Sequence, residues 1–296
     1  MDLSNKESVN CPLCNKNDYK QKYRIESWSI VKCNQCDFVY VNPRLEKKEL
    51  LKIYAENYFD NTEVGYFHYK ENKELRKKNF QKWIDDSINF LGPGENFNAL
   101  DIGCAAGYCL EIFKTKGWKP YGIELNTEYA GQSQQNGYKV YNIPFLDIQF
   151  EEKYTIITLF DVAEHLTDLQ AHFIKLHSIL DSNGIIVLIT PDYNSLQRKL
   201  LGKKWFQFKP IEHINYFSLT TFKRLTDSTG FEIIASKKAG QYSNVEFLVN
   251  RLRKYKFGFF IPLFNFSAKL FGLKNSDLYI DTASLYLVLK KKPPSY

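Results

Sequence analysis

The sequence has no apolar stretch approaching the ~18 uninterrupted residues of a membrane span, and no apolar run behind a basic amino terminus. Neither a bilayer-crossing helix nor a secretion signal is therefore expected, and the chain is placed in the cytoplasm. Cysteine is scarce, six in 296 residues, and in a reducing compartment these are not expected to pair as disulfides. A disorder-promoting composition is also missing: 44% of residues are hydrophobic and 16% aromatic, with 20 Tyr and 23 Phe, so a sizeable core can form. The length suits one large domain, or one ordinary domain with an appendage. Acidic residues fall short of basic ones, 33 against 40, and the net charge of +7 favours phosphates, nucleic acid or an acidic membrane face without choosing among them.

Four of the six cysteines form a pattern. Cys11 and Cys14, then Cys33 and Cys36, are two Cys-x2-Cys pairs separated by the 18 residues 15–32. Each pair can form a tight knuckle, and two knuckles complete a tetrahedral zinc site with no open position. The expectation is a structural zinc ribbon over 1–44, with short strands at 23–28 and 30–32, serving folding or substrate docking rather than chemistry. Asn42-Pro43-Arg44 follows. A helical lid segment is expected over 45–95, with helices at 45–58 and 70–90 and an aromatic stretch between them in which Tyr58 and Tyr66 could cover a bound ligand.

The stretch around which the chain is organised is 99–126, an apolar strand, a glycine turn, a helix and a second strand ending in an acid. Gly103, Ala105 and Gly107 let the backbone turn tightly and lie against a ligand. Glu124, about 20 residues on, sits where an acid accepts both ribose hydroxyls of a nucleoside. The glycine spacing alone could equally open a dinucleotide site. Asp101 tilts the choice, because an acid there repels a pyrophosphate and attracts a cationic amino-acid group.

On these residues the chain resembles the class I S-adenosylmethionine-dependent methyltransferases, whose first motif is an acid-x-Gly-x-Gly-x-Gly run, here Asp101, Gly103, Ala105 and Gly107 with Ala for the middle Gly. The resemblance implies a Rossmann-like α/β fold, a seven-stranded doubly wound sheet with an antiparallel last strand, with S-adenosylmethionine as cofactor. The core is expected at 96–240 and 276–296. The fourth strand, 154–160, is a continuous apolar run ending in Phe160-Asp161-Val162-Ala163-Glu164-His165, at the carboxyl end where open α/β sheets hold ligands. Phe160 and Asp161 are assigned to cofactor binding. An insertion from Tyr193 to Pro210 returns through His213-Ile214-Asn215-Tyr216-Phe217-Ser218, and the last strand, 282–290, reads as an antiparallel edge.

Methyl transfer from a sulfonium needs an aligned acceptor and, for a hydroxyl, a base. His213, on the acceptor side, is the candidate base, with a structural role equally weighted, and His165 is assigned a supporting or binding role. The whole order, including Asp-Val-x-Glu-His and His-x-x-x-Phe-Ser, resembles bacterial zinc-ribbon methyltransferases of sugar and polysaccharide pathways. In sugar C-methyltransferases of that kind a further domain follows the core, whereas this chain ends soon after its seventh strand, so O-methylation of a sugar or small hydroxylated acceptor, free or nucleotide- or lipid-linked, is expected. The segment 241–275 is set apart as a basic aromatic insertion, and within it 246–274 could lie peripherally on the inner membrane face, or simply cap the sheet. The competing function is an RNA base methyltransferase that docks RNA through the ribbon. Against nucleic acid, the fourth strand is not followed by the Asn/Asp-Pro-Pro-aromatic run typical of amino-group base methylation. A cofactor-fold module that only binds is the third reading.

Overall fold

A computed structural model describes residues 4–57, 73–94, 97–245, 249, 261–262 and 277–293. Tyr58, Tyr66 and nearly all of 246–274 lie outside the described residues.

The core is a seven-stranded sheet of β6 (Asn98–Ile102), β7 (Lys119–Ile123), β8 (Lys139–Tyr141), β9 (Tyr154–Phe160), β10 (Leu180–Pro191), β12 (Phe231–Ser243) and β13 (Leu278–Lys291). Their order across the sheet is β12-β13-β10-β9-β6-β7-β8. The five strands β6 to β10 run parallel, and β13 is antiparallel to both of its neighbours. The antiparallel last strand is thus present, but it is not an edge. Ser284 to Leu289 are all buried, because β13 slots between β10 and β12 and is covered on both faces, which leaves β12 as the edge on that side and β8 as the other.

Successive residues on a strand point to opposite faces, and both faces carry a core. On one side Leu100, Ile157, Leu159, Ile186, Leu188 and Leu287 meet Phe173 and Leu176 of α5 (Leu169–Ile179) and Phe222 and Leu225 of α6 (Leu219–Ser228). On the other, Ala99, Ile156, Ile185, Val187 and Val288 meet Leu110 and Phe113 of α3 (Tyr108–Thr115) and Trp83 and Ile84 of α2 (Lys73–Ile88). Helix α4 (Thr127–Gln135) starts on Asn126, whose side chain accepts from the Tyr129 amide.

Ahead of the core lies a small antiparallel sheet of β2 (Tyr19–Ile25), β3 (Trp28–Cys33) and β4 (Val39–Val41). Its hairpin turn falls at Glu26 and Ser27, earlier than the sequence reading placed it, because Glu26 takes the left-handed conformation (φ 52°) that reverses the chain. The fourth strand of this sheet comes from far along the chain: β11 (Asn215–Tyr216) pairs with β4. The two-residue strands β1 (Lys6–Glu7) and β5 (Arg44–Leu45) pair with each other, and α1 (Lys47–Lys52) runs into one π-helical turn, Ile53–Asn57, in place of the single helix expected over 45–58.

The second strand touches the glycine loop closely. Gly122 of β7 pairs opposite Asp101, and a Cβ added there would meet Cys104 Sγ at 2.6 Å and Leu110 Cδ1 at 3.0 Å. Gly122→Ala therefore overpacks the loop, and chemical denaturation should show a loss of about 1–3 kcal/mol.

Candidate active site

The site is built on the turn from β6 into α3. Gly103, Ala105 and Gly107 all have positive φ, 77°, 44° and 78°. Glycine accepts that conformation freely, and alanine adopts it only when its surroundings hold it there. At Ala105 they do. Its amide donates to Glu124 Oε2 (2.8 Å), and Ser133 Oγ donates to its carbonyl (3.0 Å). The Gly103 and Cys104 amides both donate to the Ile123 carbonyl (2.8 and 3.0 Å), and the Asn126 amide donates to Glu124 Oε1 (2.7 Å). The loop is hemmed in as well: a Cβ on Gly103 would meet Val162 Cγ2 at 2.9 Å, and one on Gly107 would meet Ser133 Oγ at 2.8 Å.

Two buried acids face this loop from adjacent strands. Asp101 accepts from Thr158 Oγ1 (2.5 Å), and burial pushes its carboxyl up to about 7. Burial likewise raises Glu124 to about 7, against its amide donors. No cationic side chain acts on either among the described residues. A ligand that brings hydroxyl donors and a positive charge fits this pair, and S-adenosylmethionine offers both: a ribose for Glu124 and an amino-acid ammonium for the Asp101 side.

The second constellation lies beside the loop, beyond Val162. His165 ends the 3-10 turn Ala163–His165, and His213 precedes β11. Their rings are 4.9 Å apart at 84°, and ligating atoms of Glu164, His165 and His213 lie within 4.8 Å of one another. A carbonyl can only accept, so the contacts fix the tautomers. His213 Nδ1 donates to the Gln207 carbonyl (3.0 Å), and His165 Nδ1 donates to the Glu212 carbonyl (2.9 Å). Burial holds His165 down at about 4 and His213 well below its usual range, and it pushes Glu164 well up. Glu164 Oε2 accepts from Thr190 Oγ1 (2.9 Å), whereas its buried Oε1 has no partner among the described residues. The π-helical turn bridges the two constellations: Tyr54 Oη contacts His165 Nδ1 (3.1 Å), and the Ala55 carbonyl accepts from Asn126 Nδ2 (3.2 Å).

The four ribbon cysteines come together as a third cluster, all sulfurs within 4.8 Å. Cys11 Sγ is 3.5 Å from Cys36 Sγ, and Cys14 Sγ is 3.6 Å from Cys33 Sγ. Tetrahedral zinc with Zn–S bonds of about 2.3 Å sets sulfurs about 3.8 Å apart, so the donor set fits Zn2+ with no position left for water. Each knuckle is shaped by its backbone: the Asn15 and Asp37 amides turn back to the Cys11 and Cys33 carbonyls (2.8 and 3.1 Å), and both residues have positive φ. The S–H of Cys11 draws Cys36 toward thiolate, down to about 5.

The sequence-derived residues Asp101, Gly103, Ala105, Gly107 and Glu124 therefore meet at one loop, and His165 and His213 meet at a second place next to it. Phe160 points elsewhere, its ring stacking on Phe80 (5.6 Å, 15°) and packing on Trp83 (5.2 Å) under α2. Asp161 stands at the end of β9 with φ 56°. Thr158, Ser133, Val162 and Tyr54 were not singled out from sequence. The strand 154–160 carries two threonines, Thr155 and Thr158, and nothing in the sequence separates the one that faces Asp101 from the other.

A family model described as a methyltransferase domain matches residues 71–236, more than half of the chain. The chain belongs to this methyltransferase-domain family. A ubiquinone biosynthesis O-methyltransferase of Rhodopseudomonas palustris is 27% identical over 106 residues, 34% of this chain and 42% of that protein. The C-methyltransferase NovU of Streptomyces niveus is 25% identical over 164 residues, 53% of this chain and 38% of that protein. The matched part thus spans about two fifths of the length of these curated relatives. Magnesium protoporphyrin IX methyltransferase of Synechocystis PCC 6803, solved with bound SAH, superposes with a TM-score of 0.51 at 14% identity, covering 83% of this chain and all of that one. A putative methyltransferase solved with the Trm112 activator of Haloferax volcanii gives a TM-score of 0.52 at 12% identity, covering 76% and 95%. These likenesses show that the domain has the S-adenosylmethionine-dependent methyltransferase fold.

The raised acids set a pH dependence whose sign differs for binding and stability. Ligand donors favour the carboxylates, so affinity for S-adenosylhomocysteine should rise about tenfold from pH 6 to pH 8 by calorimetry for each acid that titrates near 7. Glu124→Gln should weaken binding and flatten that slope. In the ligand-free protein an acid with a raised pKa stabilises the fold below its unfolded range and loses that contribution as pH rises through about 7, so thermal midpoints should fall over the same interval.

Proposed function

We propose that this methyltransferase-family chain O-methylates a sugar or related small hydroxylated acceptor, in a surface-polysaccharide or secondary-metabolite pathway, with His213 as base. The observation that carries the reading is the meeting of the buried His213 with Glu164, whose Oε1 has no partner among the described residues, beside the cofactor loop. A polar group with no partner in a dry site is costly unless a substrate supplies one, and an acceptor hydroxyl does.

S-adenosylmethionine supplies the methyl group on its sulfonium. The protein's part is to hold Asp101 and Glu124 against the cofactor and to manage one proton. With Nδ1–H committed to the Gln207 carbonyl, His213 presents Nε2 as an acceptor. Burial makes it a weak base, which suits this step: a hydroxyl becomes strongly acidic as its oxygen bonds to carbon, so its proton need move only late. Abstraction from carbon would demand a stronger base. The proton moves from the acceptor oxygen to His213 Nε2 and raises the charge of the Glu164–His213 pair by one, and with Glu164 ionised it takes the pair from minus one to neutral. His165, fixed by the Glu212 carbonyl and Tyr54, braces the ring of His213.

No helix among the described residues is long and apolar enough to cross a membrane. The acceptor, free or carried on a nucleotide or lipid, is taken to be met on the cytoplasmic side.

Labelled S-adenosylmethionine incubated with separated nucleotide-sugar, glycan or glycolipid, and RNA fractions tests the reading. Label should enter a sugar-bearing fraction, and His213→Ala should lower the rate by about 10²–10⁴-fold with affinity for S-adenosylhomocysteine unchanged. Label confined to RNA would replace this function with base methylation and make the ribbon an RNA-docking element.

A further inference from the structure

A continuous series of main-chain hydrogen bonds runs from the four-cysteine cluster to the two histidines. The Cys33 amide donates to the Phe38 carbonyl (2.8 Å), which closes the second knuckle and starts β4. β4 then pairs with β11, Tyr40 opposite Asn215 and Val39 opposite Tyr216, and the Val41 amide donates to the Ile214 carbonyl (3.0 Å). On its other side the same short segment is tied to the turn bearing His165: the Ile214 amide donates to the Glu164 carbonyl (3.0 Å), and Asn215 Nδ2 donates to the Leu166 carbonyl (2.8 Å). Arg44, at the end of the ribbon and 8% exposed, adds a donation to the Thr167 carbonyl (2.8 Å). Phe38 packs on Phe217 at 5.2 Å.

Residues 214–216 are thus the middle rung between the ribbon and the Glu164–His165 turn, and His213 is the residue that enters that rung. Asp101 and Glu124 stand on β6 and at the end of β7, strands of the other sheet. We infer that the ribbon is a positioning element for the acid–base pair: metal in the Cys11–Cys14–Cys33–Cys36 cluster holds β4, β4 holds 214–216, and that segment holds His213 against Glu164 and His165. The inference rests on the reading of His213 as base for its functional meaning, and on geometry alone for its structural content. Packing of Ile30, Val39 and Val41 on Trp205, Phe208 and Tyr216 holds the far side of the ribbon, and the metal fixes the knuckle end from which β4 starts, so it reaches the chemistry without touching it.

The experiment compares the zinc-loaded full chain with Cys36→Ser stripped of metal by a chelator. Amide exchange is read at Val41 and Ile214, the ring titration of His213 by nitrogen NMR, and affinity for S-adenosylhomocysteine by calorimetry. In the stripped protein, exchange at both amides should accelerate at least about tenfold and His213 should titrate near the ordinary value of about 6.5, while S-adenosylhomocysteine binds within about twofold of the loaded protein. Unchanged protection at Ile214 without metal would overturn the inference. So would a collapse of S-adenosylhomocysteine binding together with that protection, because the ribbon would then support the whole domain. Should Cys36→Ser fail to fold, Asn215→Ala in zinc-loaded protein removes the Leu166 tie: the His213 titration should move toward its ordinary range with S-adenosylhomocysteine binding kept, and an unmoved His213 would refute the coupling. None of these readouts uses an acceptor, so a wrong acceptor class leaves them intact.

Discussion

The contact on which the cofactor half depends is the buried carboxylate of Glu124 accepting the amides of Ala105 and Asn126 at once, at 2.8 and 2.7 Å. It joins the end of the second strand to the loop after the first and to the cap of the following helix. It also steadies an alanine in a conformation that alanine avoids. With the Ile123 carbonyl taken by two further loop amides, the turn has little freedom left. A rigid loop is what close approach to a ligand requires, since flexibility there would have to be given up on every binding event.

That half of the site was legible in the sequence because it is local. Asp101, the glycines and Glu124 lie within one strand–helix–strand unit, and their roles follow from spacing. The cysteine cluster was legible for the same reason, since metal chemistry imposes its own spacing on the chain. The packing of the Phe160 ring on the aromatics of α2 was not legible, because a position at a strand end does not say to which face a ring will turn. The place of the last strand was misread because alternation in a sequence reports pairing, not what lies on the far side of the strand.

The acceptor side was legible only in part. His165 and His213 are separated by 47 residues, and nothing in either neighbourhood shows that their rings meet. The meeting is produced by β11, a two-residue strand too short to carry a periodic signal, whose partner is in the ribbon. Likewise the weak basicity of His213 follows from the depth at which the insertion buries it, a property of packing and not of the residue. The two halves thus differ in kind: one is written in a motif, the other in long-range topology.

The same topology orders the making of the protein. The knuckles emerge early in synthesis, yet their sheet cannot close until β11 follows nearly two hundred residues behind. The parallel strands can assemble as they appear, but β12 has no neighbour until β13, the last strand among the described residues, arrives and inserts itself between β12 and β10. From the completion of β10 until β13 is made, the nascent chain therefore carries β10 as an open sheet edge. A truncation that spares the whole cofactor motif but removes β13 leaves β12 without a partner and turns β10, an inner strand of the native sheet, into an exposed edge.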